Sequence, residues 1–174
     1  MIQHDDPRVP QAAECVVRYV LDRRCSEHGD RIFATFNDGR PSWSYRNLRD
    51  RVVEAANGLS SIGVKQGDRV IAWLPNGELM LQTLLAINYL GATFVPINVA
   101  YKGRLLEHAV DLSDAEVMVA HPNLVPLLKD IGTGRLRRVV VAGEELPAPI
   151  GSLEFHPESI LATGNLVSPS LDVQ

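Results

Sequence analysis

The stretch RVIAWLPNGELMLQTLLAINYLGATFVPI, Arg69 to Ile97, decides how the chain folds. Arg69 to Leu74 is a short run of apolar and β-prone residues, the signature of a strand, and Pro75, Asn76 and Gly77 break it. From Gly77 to Leu90 the residues Leu79, Met80, Leu81, Leu84, Leu85, Ile87 and Leu90 leave almost no polar side, so a helix here is expected to lie buried between layers. Asn76 is placed to cap it, and Glu78 suits its positive end. Gly91 ends the helix, and ATFVPI follows as a second strand. A strand, a helix of about a dozen residues and another strand make a βαβ unit, so the two strands are expected to be parallel with a right-handed crossover. Pro96 falls near the end of the second strand, where it costs little if no ladder donor is needed.

The pattern extends in both directions. Downstream, Arg104 to Leu112 is amphipathic, with Leu105, Leu106, Ala109 and Val110 expected inward. AEVMVA (115–120) and RRVVVAG (137–143) read as further strands, with a short helix in PNLVPLLKDI between them. Strand starts near 69, 93, 116 and 138 are evenly spaced, as an open, largely parallel, doubly wound α/β sheet requires. Upstream, Ser44 is an N-cap candidate for a helix striped by Tyr45, Leu48, Val52, Ala55, Leu59 and Ile62 and ended by Gly63. Ile32 to Phe36 and a short run around Ser42 and Trp43 read as strands flanking the turn signal NDG (37–39). Ala12, Val16, Tyr19 and Val20 recur at helical spacing from Gln11 to about Glu27, and the helix is expected to stop near Gly29. The domain reading is a leader over 1–10, an α/β unit over 11–143, and a proline-rich linker or tail over 144–174. One short strand near Ser152 to Phe155 and one helical turn near Pro157 to Ala162 are expected in that tail.

Composition narrows the function. The 174 residues suffice for one core, and 45% hydrophobic with 22% charged residues is the balance of a soluble globular protein. A net charge of −4 gives no reason to expect nucleic acid or an anionic membrane as partner. The densest arginine cluster, Arg135, Arg137 and Arg138, reads as a solvated turn before a strand. Cys15 and Cys25 are ten residues apart in one expected helix, roughly 15 Å, too far for a disulfide. Reduced thiols suit the cytoplasm. His4, His28, His108, His121 and His156 are isolated, so no metal is expected. No apolar run has the length of a membrane span.

Motifs for familiar chemistry are missing. PNGE after Leu74 lacks the G-x-G-x-x-G of a dinucleotide site. His121, in HPN, reads as a polar cap rather than a base. GTGR (132–135) precedes a strand instead of opening a helix, so it reads as a plain turn. The three lysines, Lys65, Lys102 and Lys129, are never followed by Ser or Thr, which excludes a P-loop, and no Ser sits in a G-x-S-x-G elbow. No catalytic residue is assigned.

The order of the pieces nevertheless resembles a known family. WSYRNL (43–48) is similar to the W/L-T-Y-x-E-L segment of the AMP-forming acyl-CoA synthetases, of the adenylate-forming superfamily. The next section matches phrase by phrase: an A-x-x-L-x-x-x-G-V-x-x-G-D-x-V run, a strand, N-x-x-E, an apolar helix and G-A-x-x-V-P-I-N. The resemblance covers about residues 11–142 and looks nearest to acyl-, crotonobetaine/carnitine- or other medium-acid CoA ligases. It implies a carboxylic acid, ATP and CoA as substrates, with Mg, for the full-length family. It also implies a phosphate loop ending in P-K-G, a ribose-binding aspartate and a catalytic lysine. None of these occurs here, so the chain is expected to be an incomplete piece of the large N-terminal domain and inactive alone, with no cofactor of its own. Asn47 stands where the family has an acidic residue, which is expected to weaken a capping box with Ser44. Within the matched region, Lys102 and Arg104 fall on the loop after V-P-I-N, where the resemblance implies contacts to CoA phosphates. The alternative is a non-catalytic binding module that pairs with itself through an uncovered sheet edge.

Overall fold

The computed structural model describes residues 16–37 and 39–162. By internal packing the chain forms two units, Met1–Arg49 and Asp50–Gln174.

In the first unit, α1 spans Val17–His28 and is followed by an antiparallel pair, β1 (Ile32–Ala34) and β2 (Trp43–Ser44). The expected leader, the first turns of the expected helix and Cys15 lie outside the described residues. The helix ends at Gly29, as expected. Trp43 is buried, and Phe36 meets its ring edge-on at a centroid distance of 5.0 Å. α2 (Tyr45–Ser61) starts at Ser44. The capping box closes despite Asn47: its backbone N–H donates to Ser44 Oγ (3.2 Å), and Ser44 N–H donates back to Asn47 Oδ1 (3.4 Å). The shorter amide still reaches, although the return bond is long.

The second unit holds a five-stranded, all-parallel sheet. Its strands are β3 (Arg69–Trp73), β4 (Thr93–Pro96), β5 (Val117–Ala120), β6 (Arg138–Val141) and β7 (Glu154–Pro157), in the order β4-β3-β5-β6-β7. The chain runs outward from β3 to β4, then crosses back beyond β3 to β5 and continues. With right-handed crossovers, this reversal places α3 (Glu78–Tyr89) on one face and α4 (Gly103–Ser113) with the 3-10 helix Val125–Asp130 on the other. The α4 face is filled by Ile71, Trp73, Met118, Ala120, Val139 and Val141 from the strands, against Leu106, Val110, Val125 and Leu128.

The helices end where the sequence places their glycines. Gly63 (φ +94°) and Gly91 (φ +70°) take the left-handed conformation. The residue after each then reaches back five residues, Val64 N–H to Leu59 O (3.1 Å) and Ala92 N–H to Ile87 O (3.1 Å). Val64 and Ala92 are both buried, so each closure also anchors the chain before the next strand.

Three expectations change. α3 is not enclosed. Its buried face carries Gln82, Thr83, Ala86, Ile87 and Tyr89, while Leu79, Met80, Leu81, Leu84 and Leu85 are half-buried. Gln82 is tolerated inside because its amide donates to Arg51 O (3.1 Å) and Leu161 O (3.4 Å). α3 is also capped by Gly77, with no side-chain cap bond from Asn76. Leu105, expected inward on α4, is 53% exposed, because Leu106, Val110 and Ser113 define the buried stripe.

Residues 144–162 do more than link. β7 pairs with β6 along its whole length, and the 3-10 helix Glu158–Ala162 returns to pack on the unit, burying Leu161. Ser159 N–H donates to Glu144 Oε1 (3.0 Å), which starts that turn. Glu158 stands beside Glu144. Burial, and then the Glu144 charge, raise its carboxyl above the ordinary 4.5. The ionised form is thus disfavoured in the folded state. The stability contributed by the protonated form is complete below 4.5 and is lost as pH rises through the raised value. Glu158→Gln should therefore raise Tm at pH 7 by about 1–2 °C and change nothing at pH 4, as read by scanning fluorimetry. An unchanged or lower Tm at pH 7 would contradict this account.

Both sheet edges are blunted in the same way. In β4, Thr93 N–H donates to Asp68 O (2.7 Å) and Ile97 N–H to Ala72 O (3.0 Å), so Phe94 and Pro96 direct their backbone groups outward. In β7, Glu154 N–H donates to Arg137 O (2.8 Å), so Phe155 and Pro157 face outward. Each edge thus has a proline at an outward position, with no N–H to offer an incoming strand.

Candidate functional site

An open α/β sheet of this order binds ligands beyond the carboxyl ends of its strands, where the order reverses. Here that point lies between β3 and β5. Three segments meet there: Leu74–Gly77 after β3, Ile97–Lys102 after β4, and His121–Leu124 after β5.

The middle segment is the most highly ordered by its own chemistry. Asn98 Oδ1 accepts from Ala100 N–H (2.9 Å), a side-chain turn of the kind asparagine favours. Asn98 O accepts from Tyr101 N–H (3.0 Å) and from the indole N–H of Trp73 (3.2 Å). Trp73 is fully buried at the end of β3, so its ring anchors the loop to the core. The loop delivers Lys102 as the N-cap of α4, in extended conformation and with no side-chain cap bond, and then Arg104 in the first turn. Both are exposed, and neither has an intramolecular partner among the described residues. The first turn of α4 contains no acidic residue. Two cations therefore stand at the positive end of a helix dipole, an arrangement that repels itself and favours an anion. α3 differs, because its first turn carries Glu78.

His121 behaves as a cap. Its backbone N–H donates to Trp73 O (3.0 Å), and its Nδ1 accepts from Asn123 N–H (3.3 Å). Thr133 O accepts from Leu136 N–H, so the GTGR segment is a turn. Among the described residues no His, Cys, Asp or Glu side chains gather as a metal site, and no helix is long and apolar enough to cross a membrane. Sequence reading picked out Lys102 and Arg104 but missed Trp73 and Asn98, which position them. The available signal was an asparagine placed directly after a strand.

A cavity of about 260 Å³ lies at the opposite end, among the amino ends of β3, β5 and β6. Its charges answer one another. Arg69 pairs with Asp114 (3.0 Å), and Arg135 pairs with Asp114 (3.3 Å) and Glu116 (2.6 Å). Arg138 lies 3.6 Å from Glu154. Glu116, and then Asp114, hold the Arg135 guanidinium above its ordinary value. These pairs fasten the left-handed C-cap of α4, Asp114 (φ +53°), to β3 and to the turn before β6. Of the arginine cluster, Arg135 and Arg138 are thus engaged with carboxylates on the surface, and Arg137 donates to Gly134 O (3.2 Å) and Leu136 O (2.9 Å).

These features define an open, parallel α/β domain with an ordered basic loop at the carboxyl end of its sheet. The chain belongs to the AMP-binding enzyme family, whose family model matches residues 21–161. It is 40% identical over 106 residues to a feruloyl-CoA synthase of Amycolatopsis, covering 61% of this chain and 21% of the relative. A crotonobetaine/carnitine–CoA ligase of Salmonella paratyphi A is 27% identical over 141 residues, covering 78% of this chain and 27% of the relative. The crystal structure of a long-chain-fatty-acid–CoA ligase from Archaeoglobus fulgidus superposes with a TM-score of 0.75 at 24% identity, over 92% of this chain and 32% of that one. The chain thus spans about a fifth to a quarter of the length of the curated relatives it matches.

Proposed function

We propose that this chain forms the N-terminal part of an ATP-dependent, AMP-forming carboxylate–CoA ligase and carries out neither adenylation nor thioester formation by itself. The observation that carries this reading is the match of the family to residues 21–161, on a chain whose aligned part covers only 21% of the first relative's length. The carboxyl end of the sheet does not fit an ATP triphosphate: α3 opens on Glu78, and the segment before it has no glycine cradle or lysine. ATP and Mg therefore belong to residues outside this sequence. Lys102 and Arg104, held out by the Trp73–Asn98 clamp, suit the phosphates of CoA. The acid is of the aromatic or aliphatic class named for the relatives. The compartment is the cytoplasm, which the free thiol of Cys25 suits.

ATP–pyrophosphate exchange by the purified 174-residue chain, with ferulate or a medium-chain fatty acid, should stay at background. Robust exchange would overturn the reading. In calorimetry, CoA should bind weakly, and Lys102→Glu with Arg104→Glu should abolish the heat. The alternative of a non-catalytic self-pairing module draws no support from the two proline-blunted edges. It draws support from the outer side of α4.

A further inference from the structure

We propose that the outer face of α4 is a self-association surface on which a second copy of this chain docks antiparallel about a two-fold axis. The helix buries Leu106, Val110 and Ser113, and it exposes Arg104, Leu105, His108, Asp111 and Leu112. Leu112 is 75% exposed and Leu105 53%, the first and third most exposed large apolar side chains of the described residues. At 3.6 residues per turn, Leu105 and Leu112 lie on one flank of the outer face, two turns apart. Arg104 and Asp111 lie on the other flank at the same spacing, with His108 between the flanks. Neither charged residue has an intramolecular partner among the described residues.

This set is complementary to itself. A two-fold axis across the helix at His108 keeps each flank on its own side and reverses the direction of the chain. Leu105 then meets Leu112 of the second copy, and Arg104 meets Asp111 of the second copy, each twice by symmetry. A parallel arrangement would set the leucines against Arg104 and Asp111, burying charge against apolar surface. The antiparallel pairing therefore satisfies all four groups at once. The prolines at the sheet edges leave α4 as the better self-complementary surface.

One face of an eleven-residue helix is a small contact, so the dissociation constant should lie around 10⁻⁴ to 10⁻³ M. The test is sedimentation velocity of the whole chain from about 10 µM to 1 mM, a range that reaches up to that constant. A monomer–dimer equilibrium is expected. Leu112→Glu should weaken it at least about tenfold, as should Arg104→Asp or Asp111→Arg alone. The double variant Arg104→Asp/Asp111→Arg should recover most of the loss. All these side chains are exposed, so circular dichroism and Tm should stay at wild-type values. A monomer throughout, a dimer indifferent to Leu112→Glu, or a double variant no better than the singles would each overturn the proposal. Leu112→Glu leaves Lys102 and Arg104 intact, so its outcome is independent of whether CoA binds.

Discussion

Gly58→Val is expected to lower stability by about 3 kcal/mol or more, and Tm by roughly 6–12 °C. Gly58 sits inside α2, where glycine costs about 1 kcal/mol relative to alanine. It is needed because the 3-10 helix Glu158–Ala162 crosses at this point. A Cβ at position 58 would overlap the carbonyl oxygen of Ile160 and come within 2.8 Å of its carbon and 3.3 Å of Leu161 Cα. The obstacle is backbone, so no rotamer change relieves it. The crossing segment would have to lift, exposing Leu161 and breaking the Gln82 bond to Leu161 O. Gly58→Ala is the sharper test. In a helix with nothing against it, alanine would stabilise; here it should destabilise by about 1–3 kcal/mol. Chemical denaturation reads both variants, and hydrogen exchange should show the loss concentrated in residues 158–162 and the facing turn of α2. An alanine variant at least as stable as wild type would mean that the two backbones do not approach in this way.

That contact also marks the limit of what could be read from residues alone. The parallel sheet was legible through β6, because each strand–helix–strand unit carries its own periodicity and its own terminating glycine. β7 was harder to place. Its four residues, Glu154 to Pro157, sit among prolines and show no alternation, and only pairing with β6 reveals them as a sheet edge. The need for a glycine at 58 could not be read locally, because its cause lies about a hundred residues along the chain. α3 was misjudged for a different reason. Counting leucines gives the hydrophobicity of a helix but not the side that faces the sheet, and Gln82 could turn inward only because two carbonyls wait for it. At the site, two cations before a helix were legible, whereas the clamp behind them joins residues 25 positions apart.

Trp73→Ala is expected to cost about 3–5 kcal/mol, the usual range for emptying a fully buried aromatic site, and to leave the β3–β5 end of the core with a cavity. Trp73→Phe separates packing from hydrogen bonding. Phenylalanine keeps most of the apolar volume but cannot donate to Asn98 O, which would retain only the Tyr101 N–H bond. The cost should fall to about 1–2 kcal/mol. Its distribution matters more than its size. If the indole N–H holds the loop, amide exchange at Ala100 and Tyr101 should accelerate by about tenfold, the equivalent of one hydrogen bond, while the amides of β3 and β5 keep their protection. Because the loop carries Lys102, the same variant should weaken CoA binding even though position 73 lies beneath the surface and contributes no charge. Uniform acceleration across the sheet, or unchanged exchange at Ala100 and Tyr101, would show that Trp73 acts only as core. The loop would then be ordered by Asn98 alone, through the turn that its side chain closes on Ala100.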